Sequence, residues 1–165
     1  MSAATHNSIQ HLREKIQSIR IGMLTTLNRD MSLSSRPMTQ QQLEEDGTLW
    51  FFVSDQMQLT EDIDSFPKIN VTFANPADSV YVTASGNAEI VKDREKAKAL
   101  WNPMVAVWFP GGLDDPHLAL IKFNIHYAEY WDAHSNTMMQ LFAIAKAAVV
   151  GERPKDTGEH EKIEF

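Results

Sequence analysis

The chain has 165 residues, 43% of them apolar, and 22 acidic against 15 basic side chains give it a net charge of −7. That length supports one domain with a hydrophobic core, and the acidic balance argues against a nucleic-acid binder, which needs a concentrated basic face. The absence of cysteine excludes disulfides, thiolate catalysis and cysteine-ligated metal sites.

Residues 1–7 lack the apolar core of a secretory signal, and no run approaches the roughly 20 apolar residues that span a bilayer. The expectation is a soluble, cytoplasmic protein with neither nucleic acid nor membrane as partner.

In chain order, residues 8–19 place Ile9, Leu12, Ile16 and Ile19 at helical spacing. The period then drops to two. Residues 21–27 alternate Ile21, Met23, Thr25 and Leu27, a turn falls at Asn28-Arg29-Asp30, and residues 33–38 return as the second arm of a hairpin. Asp46-Gly47 opens a third strand over residues 48–54, aromatic and short.

Residues 59–66 form a short helix ended by Pro67, and residues 68–75 alternate Ile69, Val71 and Phe73 as a strand. After the turn at Asn75-Pro76-Ala77-Asp78 comes a long strand, residues 79–91, with Gly86 marking a bulge or bend. Residues 93–101 read as a helix capped by Asp93, residues 118–131 as a long strand, and residues 136–150 as a closing helix with Gly151 after its end.

The domain therefore spans residues 8–151. Residues 152–165 are charged and contain Pro154 and Gly158, which predicts a mobile tail or an arm lying on a partner. Short strands with few helices between them point to an antiparallel barrel with helical additions; a parallel sheet lacks the crossovers it would need.

Read in order, several segments carry a resemblance. They are Ser34-Ser35-Arg36-Pro37-Met38, Trp50-Phe51-Phe52-Val53-Ser54, Ile69-Asn70-Val71-Thr72-Phe73, Tyr81 to Ala88, Trp108-Phe109-Pro110-Gly111-Gly112 and Glu129-Tyr130-Trp131-Asp132. Together they resemble the general stress protein 26 group among the pyridoxamine-5′-phosphate-oxidase-like proteins. The resemblance implies a mainly β fold with flanking helices, a six-stranded antiparallel split β-barrel of Greek-key order. It also implies a homodimer with FMN at the subunit interface, FAD being the alternative.

Under that resemblance Arg36 is the phosphate anchor, since a guanidinium offers bidentate charge-assisted hydrogen bonds; a surface ion pair is its other reading. Ser34, Arg36 and Met38 share one strand face, while Leu33, Ser35 and Pro37 share the other. Pro37 and Met38, which follow the anchor on the strand, are assigned to the cofactor site with it. Phe52, Val53 and Ser54 are assigned to backbone, wall and hydroxyl contacts, with core packing the competing role for the aromatic run.

Trp108 and Trp131 are candidate walls for the ring, Trp131 being equally readable as a core or interface residue. The family carries a serine and then a lysine after the third strand; here Met57 and Leu59 stand in those places, and Gln58 offers a hydrogen bond without charge. Losing one charge-assisted contact costs about 1.5–3 kcal/mol, so the register predicts weakened or absent cofactor binding.

No catalytic residue is assigned. The six histidines form no metal-ligand spacing, and no nucleophile elbow, P-loop or Gly-x-Gly-x-x-Gly motif is present. A flavin carries its own reaction, so this pattern fits a flavin-dependent oxidoreductase of unknown substrate. A non-catalytic flavin binder and a cofactor-free interaction barrel are the alternatives. True pyridoxamine-phosphate oxidase activity is not expected, because the basic C-terminal substrate cradle of that branch is missing.

Overall fold

The computed structural model describes residues 3–132 and 159–164. Its elements are α1 (Ala3–Ile16), β1 (Ile21–Leu27), β2 (Leu33–Leu43), β3 (Thr48–Ser54), α2 (Gln58–Ser65), β4 (Lys68–Asn75), β5 (Val80–Val91), α3 (Arg94–Leu100), α4 (Pro103–Trp108), a 3-10 turn (Gly112–Asp114), β6 (Leu118–Asp132) and β7 (Glu159–Glu164).

Strands β1, β2 and β3 form a meander, and β4 returns across α2 to lie beside β1. That is Greek-key order. Strands β5 and β6 continue the sheet, and β6 pairs with β3 from Thr48↔Asn124 to Ser54↔Leu118, which closes six antiparallel strands into a barrel. The second half of β6, from residue 127 on, leaves β3 and pairs with β7 instead.

Alternation decides what the barrel encloses. Leu24, Leu49, Phe51, Val53, Val71, Phe73 and Phe123 point inward and are buried, as are Leu59 and Ile63 from α2 and Ile9, Leu12 and Ile16 from α1. Each such side chain contributes roughly 1.5–3 kcal/mol by leaving water. A second, smaller core lies outside the barrel, where Trp50 and Leu120 meet Ala97 and Leu100 of α3 and Val105 of α4.

Gly86 does mark a bulge. The register passes from Ser85↔Tyr127 to Gly86↔Ile125, so His126 is the extra residue. A Cβ on Gly86 would lie 2.0 Å from the Asn124 carbonyl oxygen, a distance no side chain tolerates.

Several elements differ from the sequence reading. Helix α1 begins earlier and ends at Ile16; Ile19 is buried but sits beyond it in a turn closed by its N–H on the Ile16 carbonyl. Strand β2 runs on to Leu43 through a polar stretch. Residues 103–108, which the sequence reading assigns to no element, are helix α4.

Residues 159–164, expected in a tail or an arm, form β7 on this chain's own β6, with Ile163 buried opposite Ala128 between exposed Lys162 and Glu164. The expected helix over residues 136–150 and the boundary at residue 151 lie outside the described residues.

Candidate functional site

Outside the barrel, β2, β3 and α4 enclose a cavity of about 250 Å³. The pleat fixes its walls. On β2 the outward residues are Pro37 and Thr39, and on β3 they are Phe52 and Ser54. Met38 and Val53, whose side chains sit in the barrel core, contribute at the cavity floor, and Met57 stands at its end just before α2. Helix α4 supplies Met104, Val105 and Trp108, followed by Phe109. Among the described residues, no charged side chain lines the cavity.

Two devices place the helical wall. A register shift between Gln40 and Gln42 makes Gln41 an extra residue on β2, and such bulges re-aim a side chain. Gln41 turns to the cavity, where its Oε1 accepts a hydrogen bond from Asn102 Nδ2 at 2.8 Å. The Asn102 Oδ1 in turn accepts from the Met104 and Val105 backbone N–H groups, capping α4, with Pro103 in the first helical turn.

The aromatic wall is braced as well. Phe52 meets Trp101 edge to face at 5.8 Å between ring centroids and Phe109 at 6.3 Å. Trp108, by contrast, is 79% exposed, so the cavity is open on that side.

Six of the residues singled out in the sequence come together here: Pro37, Met38, Phe52, Val53, Ser54 and Trp108. Four do not. Arg36 lies on the inward face of β2, and its Nη2 sits 3.6 Å from Asp62 Oδ2, whose side chain is only 3% exposed. Gln58 donates to Glu61 and Asp62 on its own helix.

Leu59 is fully buried in the barrel core, because its place on α2 faces the strands. It is a packing residue and does not line the cavity. Trp131 is on β6 opposite Tyr81 of β5 and His160 of β7, in the part of β6 that has left β3, away from this cavity.

Met57, noted in the sequence as standing in the serine's place, also lines the cavity, and Thr39, Gln41, Met104, Val105 and Phe109, which were not assigned to the site in the sequence, complete the lining. The pair Asn102-Pro103, a cap residue followed by a helix-opening proline, is the signal that reveals α4 and with it three of them.

Beyond Ser54 the strand end is pinned by charge. Asp55 Oδ2 meets Lys92 Nζ at 2.6 Å and Oδ1 meets His117 Nδ1 at 2.9 Å. Hydrogen bonding from Lys92 first, then from His117, holds the Asp55 carboxyl below the ordinary carboxylate range.

The site has the parts that hold a flat ring: aromatic and thioether walls, strand backbone along two sides, and the hydroxyls of Ser54 and Thr39 with the Gln41 amide as polar contacts. Its fit to a charged head group is poorer, since every described lining residue is neutral.

Comparison with known proteins agrees with this architecture. The chain is 28% identical over 153 residues to the protein bli-3 of Neurospora crassa, covering 87% of this chain and 73% of that one. The general stress protein 26 of Bacillus anthracis superposes with a TM-score of 0.63 at 29% identity, covering 73% of this chain and 93% of that one.

The general stress FMN/FAD binding protein of Xanthomonas citri superposes with a TM-score of 0.66 at 29% identity, covering 76% and 89%. The family model for pyridoxamine 5′-phosphate oxidase-like proteins matches residues 7–155, nearly the whole chain. This chain belongs to the pyridoxamine 5′-phosphate oxidase-like family, and its structural neighbours include general stress proteins.

Proposed function

We propose that this protein binds a flavin, FMN or FAD, with the ring in the cavity between β2, β3 and α4. The observation that carries the reading is a neutral cavity walled by Phe52, Trp108 and Phe109 and edged by strand backbone. A tricyclic ring gains dispersion from such walls and hydrogen bonds from such edges. The Xanthomonas citri relative, which bears FMN/FAD binding in its name, supports the same ligand class.

A bound flavin supplies hydride and one-electron chemistry, which makes a flavin-dependent oxidoreductase the activity we propose. The chain's own part is to orient the ring and exclude water. Phe52, held by Trp101 and Phe109, fixes one wall, and Gln41, held by Asn102, fixes a polar contact.

The open side is where a second copy belongs. Trp108, Val107 and Met104 are exposed, and so are Ile21 and Met23, which stand opposite Thr39 and Pro37 of the cavity wall. The apolar surface therefore continues from the cavity onto β1. A contiguous exposed patch of this kind marks an interaction face, and a symmetric dimer would cover it and close the cavity.

The test begins with colour. Freshly purified protein is expected to absorb in the flavin bands and to release the flavin on heating. Protein that stays colourless with excess FMN, FAD and riboflavin removes the proposal. Anaerobic mixing with NADH or NADPH then separates the activities: bleaching marks a reductase, and persistent colour marks a binder.

A further inference from the structure

We propose that Asp62 is a specificity-determining residue that supplies, from within the protein, the anion that a ligand's phosphate would otherwise give to Arg36. This inference rests on the flavin reading above and deepens it.

Arg36 is the phosphate anchor that the family resemblance implies, and in the folded chain, on the inward face of β2 at 22% side-chain exposure, it already has a counter-ion. Its Nη2 lies 3.6 Å from Asp62 Oδ2. The carboxylate is set for this role. It sits on α2 at 3% side-chain exposure, and it also accepts from Thr26 Oγ1 at 3.4 Å and from Gln58 Nε2 at 3.3 Å.

The other head-group contacts are engaged elsewhere too. Gln58 is turned onto Asp62 and Glu61, and Leu59 is in the core. Among the residues that line the cavity, Ser54 is the one assigned head-group donor that remains, and none carries charge.

The physical consequence is a competition. A phosphate that takes Arg36 for itself leaves a buried carboxylate without its cation, and stranding a buried charge costs more than the new pair returns. The ring and the neutral chain attached to it then carry the affinity. The site binds riboflavin nearly as well as FMN, whereas a site with a free arginine fork gains roughly ten- to a hundredfold from the phosphate.

The experiment is fluorescence titration of the full chain with riboflavin and with FMN, in the wild type and in Asp62→Asn. Asparagine keeps the shape and the acceptor oxygen and removes the charge. Wild-type dissociation constants are expected to agree within about threefold. Asp62→Asn is expected to tighten FMN about tenfold and to leave riboflavin unchanged. That split between two ligands is one that general damage to the fold does not produce. Adding Arg36→Met to Asp62→Asn is expected to abolish the gain.

A wild-type preference for FMN above about thirtyfold overturns the inference while leaving the flavin reading intact, and it decides the matter even where Asp62→Asn fails to fold. An Asp62→Asn protein that folds and shows no gain for FMN also overturns it. Failure of the wild type to bind either flavin overturns the flavin reading itself, and the inference falls with it.

Discussion

Asn102 Nδ2 and Gln41 Oε1, 61 positions apart in sequence, are joined by a 2.8 Å hydrogen bond that docks the start of α4 onto the bulge of β2. One amide thus serves two purposes, since its oxygen caps the helix that carries Met104, Val105 and Trp108.

Asn102→Ala is expected to lower stability by about 1–2 kcal/mol, the usual cost of a lost cap, and to weaken flavin binding. Asn102→Asp restores the cap acceptor but not the donor to Gln41, so it is expected to recover stability and not affinity. Urea denaturation and flavin titration of both variants measure the two effects separately. Equal loss in both variants would tie the affinity to the cap alone.

Leu59 is a core residue, so placing there the lysine that the family resemblance implies is expected to harm the fold. Leu59→Lys inserts an ammonium among Leu24, Val71 and the other inward side chains and should cost about 3 kcal/mol or more. The denaturation midpoint decides. An unshifted midpoint with tighter FMN binding would return this position to the site.

Asp55 gives the strand end a pH dependence of known sign. Its folded-state pKa is lowered, chiefly by Lys92 and then by His117, so the stabilisation is present above the ordinary carboxylate pKa and is lost as pH falls through the folded value. The wild-type melting temperature is expected to drop more steeply than that of Asp55→Asn between about pH 5 and pH 3. Parallel curves would remove the ion pairs from the account.

Gly86 tolerates no side chain. The Cβ of Gly86→Ala would meet the Asn124 carbonyl oxygen at 2.0 Å, so β5 and β6 must part at the bulge. A loss of about 3 kcal/mol, seen as a melting temperature lower by roughly 6–12 °C, is the expected outcome of a thermal scan.

The barrel was largely legible in the sequence because its inward residues alternate cleanly. Ile69, Val71 and Phe73 give β4 its period, and Gly86 gives away the bulge. The second half of β2 was hidden, since Thr39, Gln40, Gln41 and Gln42 carry no apolar alternation and the register shifts among them.

Strand β7 was hidden for a related reason, its one described buried apolar anchor being Ile163 in a charged run. At six residues, α4 is too short for a helical stripe to register.

The site was half legible. Residues on the outward face of β2 and β3 could be read from alternation, which also set Arg36 apart from Pro37. That Arg36 would find Asp62 depends on how α2 crosses the sheet, and no local pattern encodes it.

The seam between β3 and β6 joins residues as distant as Thr48 and Asn124, 76 positions apart, while β1 with β2 and β4 with β5 are neighbours along the chain. Local hairpins cost little loop entropy, whereas zipping this seam requires most of the polypeptide to be in place. The joining of β3 to β6 is therefore the step expected to be slowest in folding. Until it happens, two bare strand edges stand open to the nearest other chain, and crowding during synthesis is the hazard this topology carries.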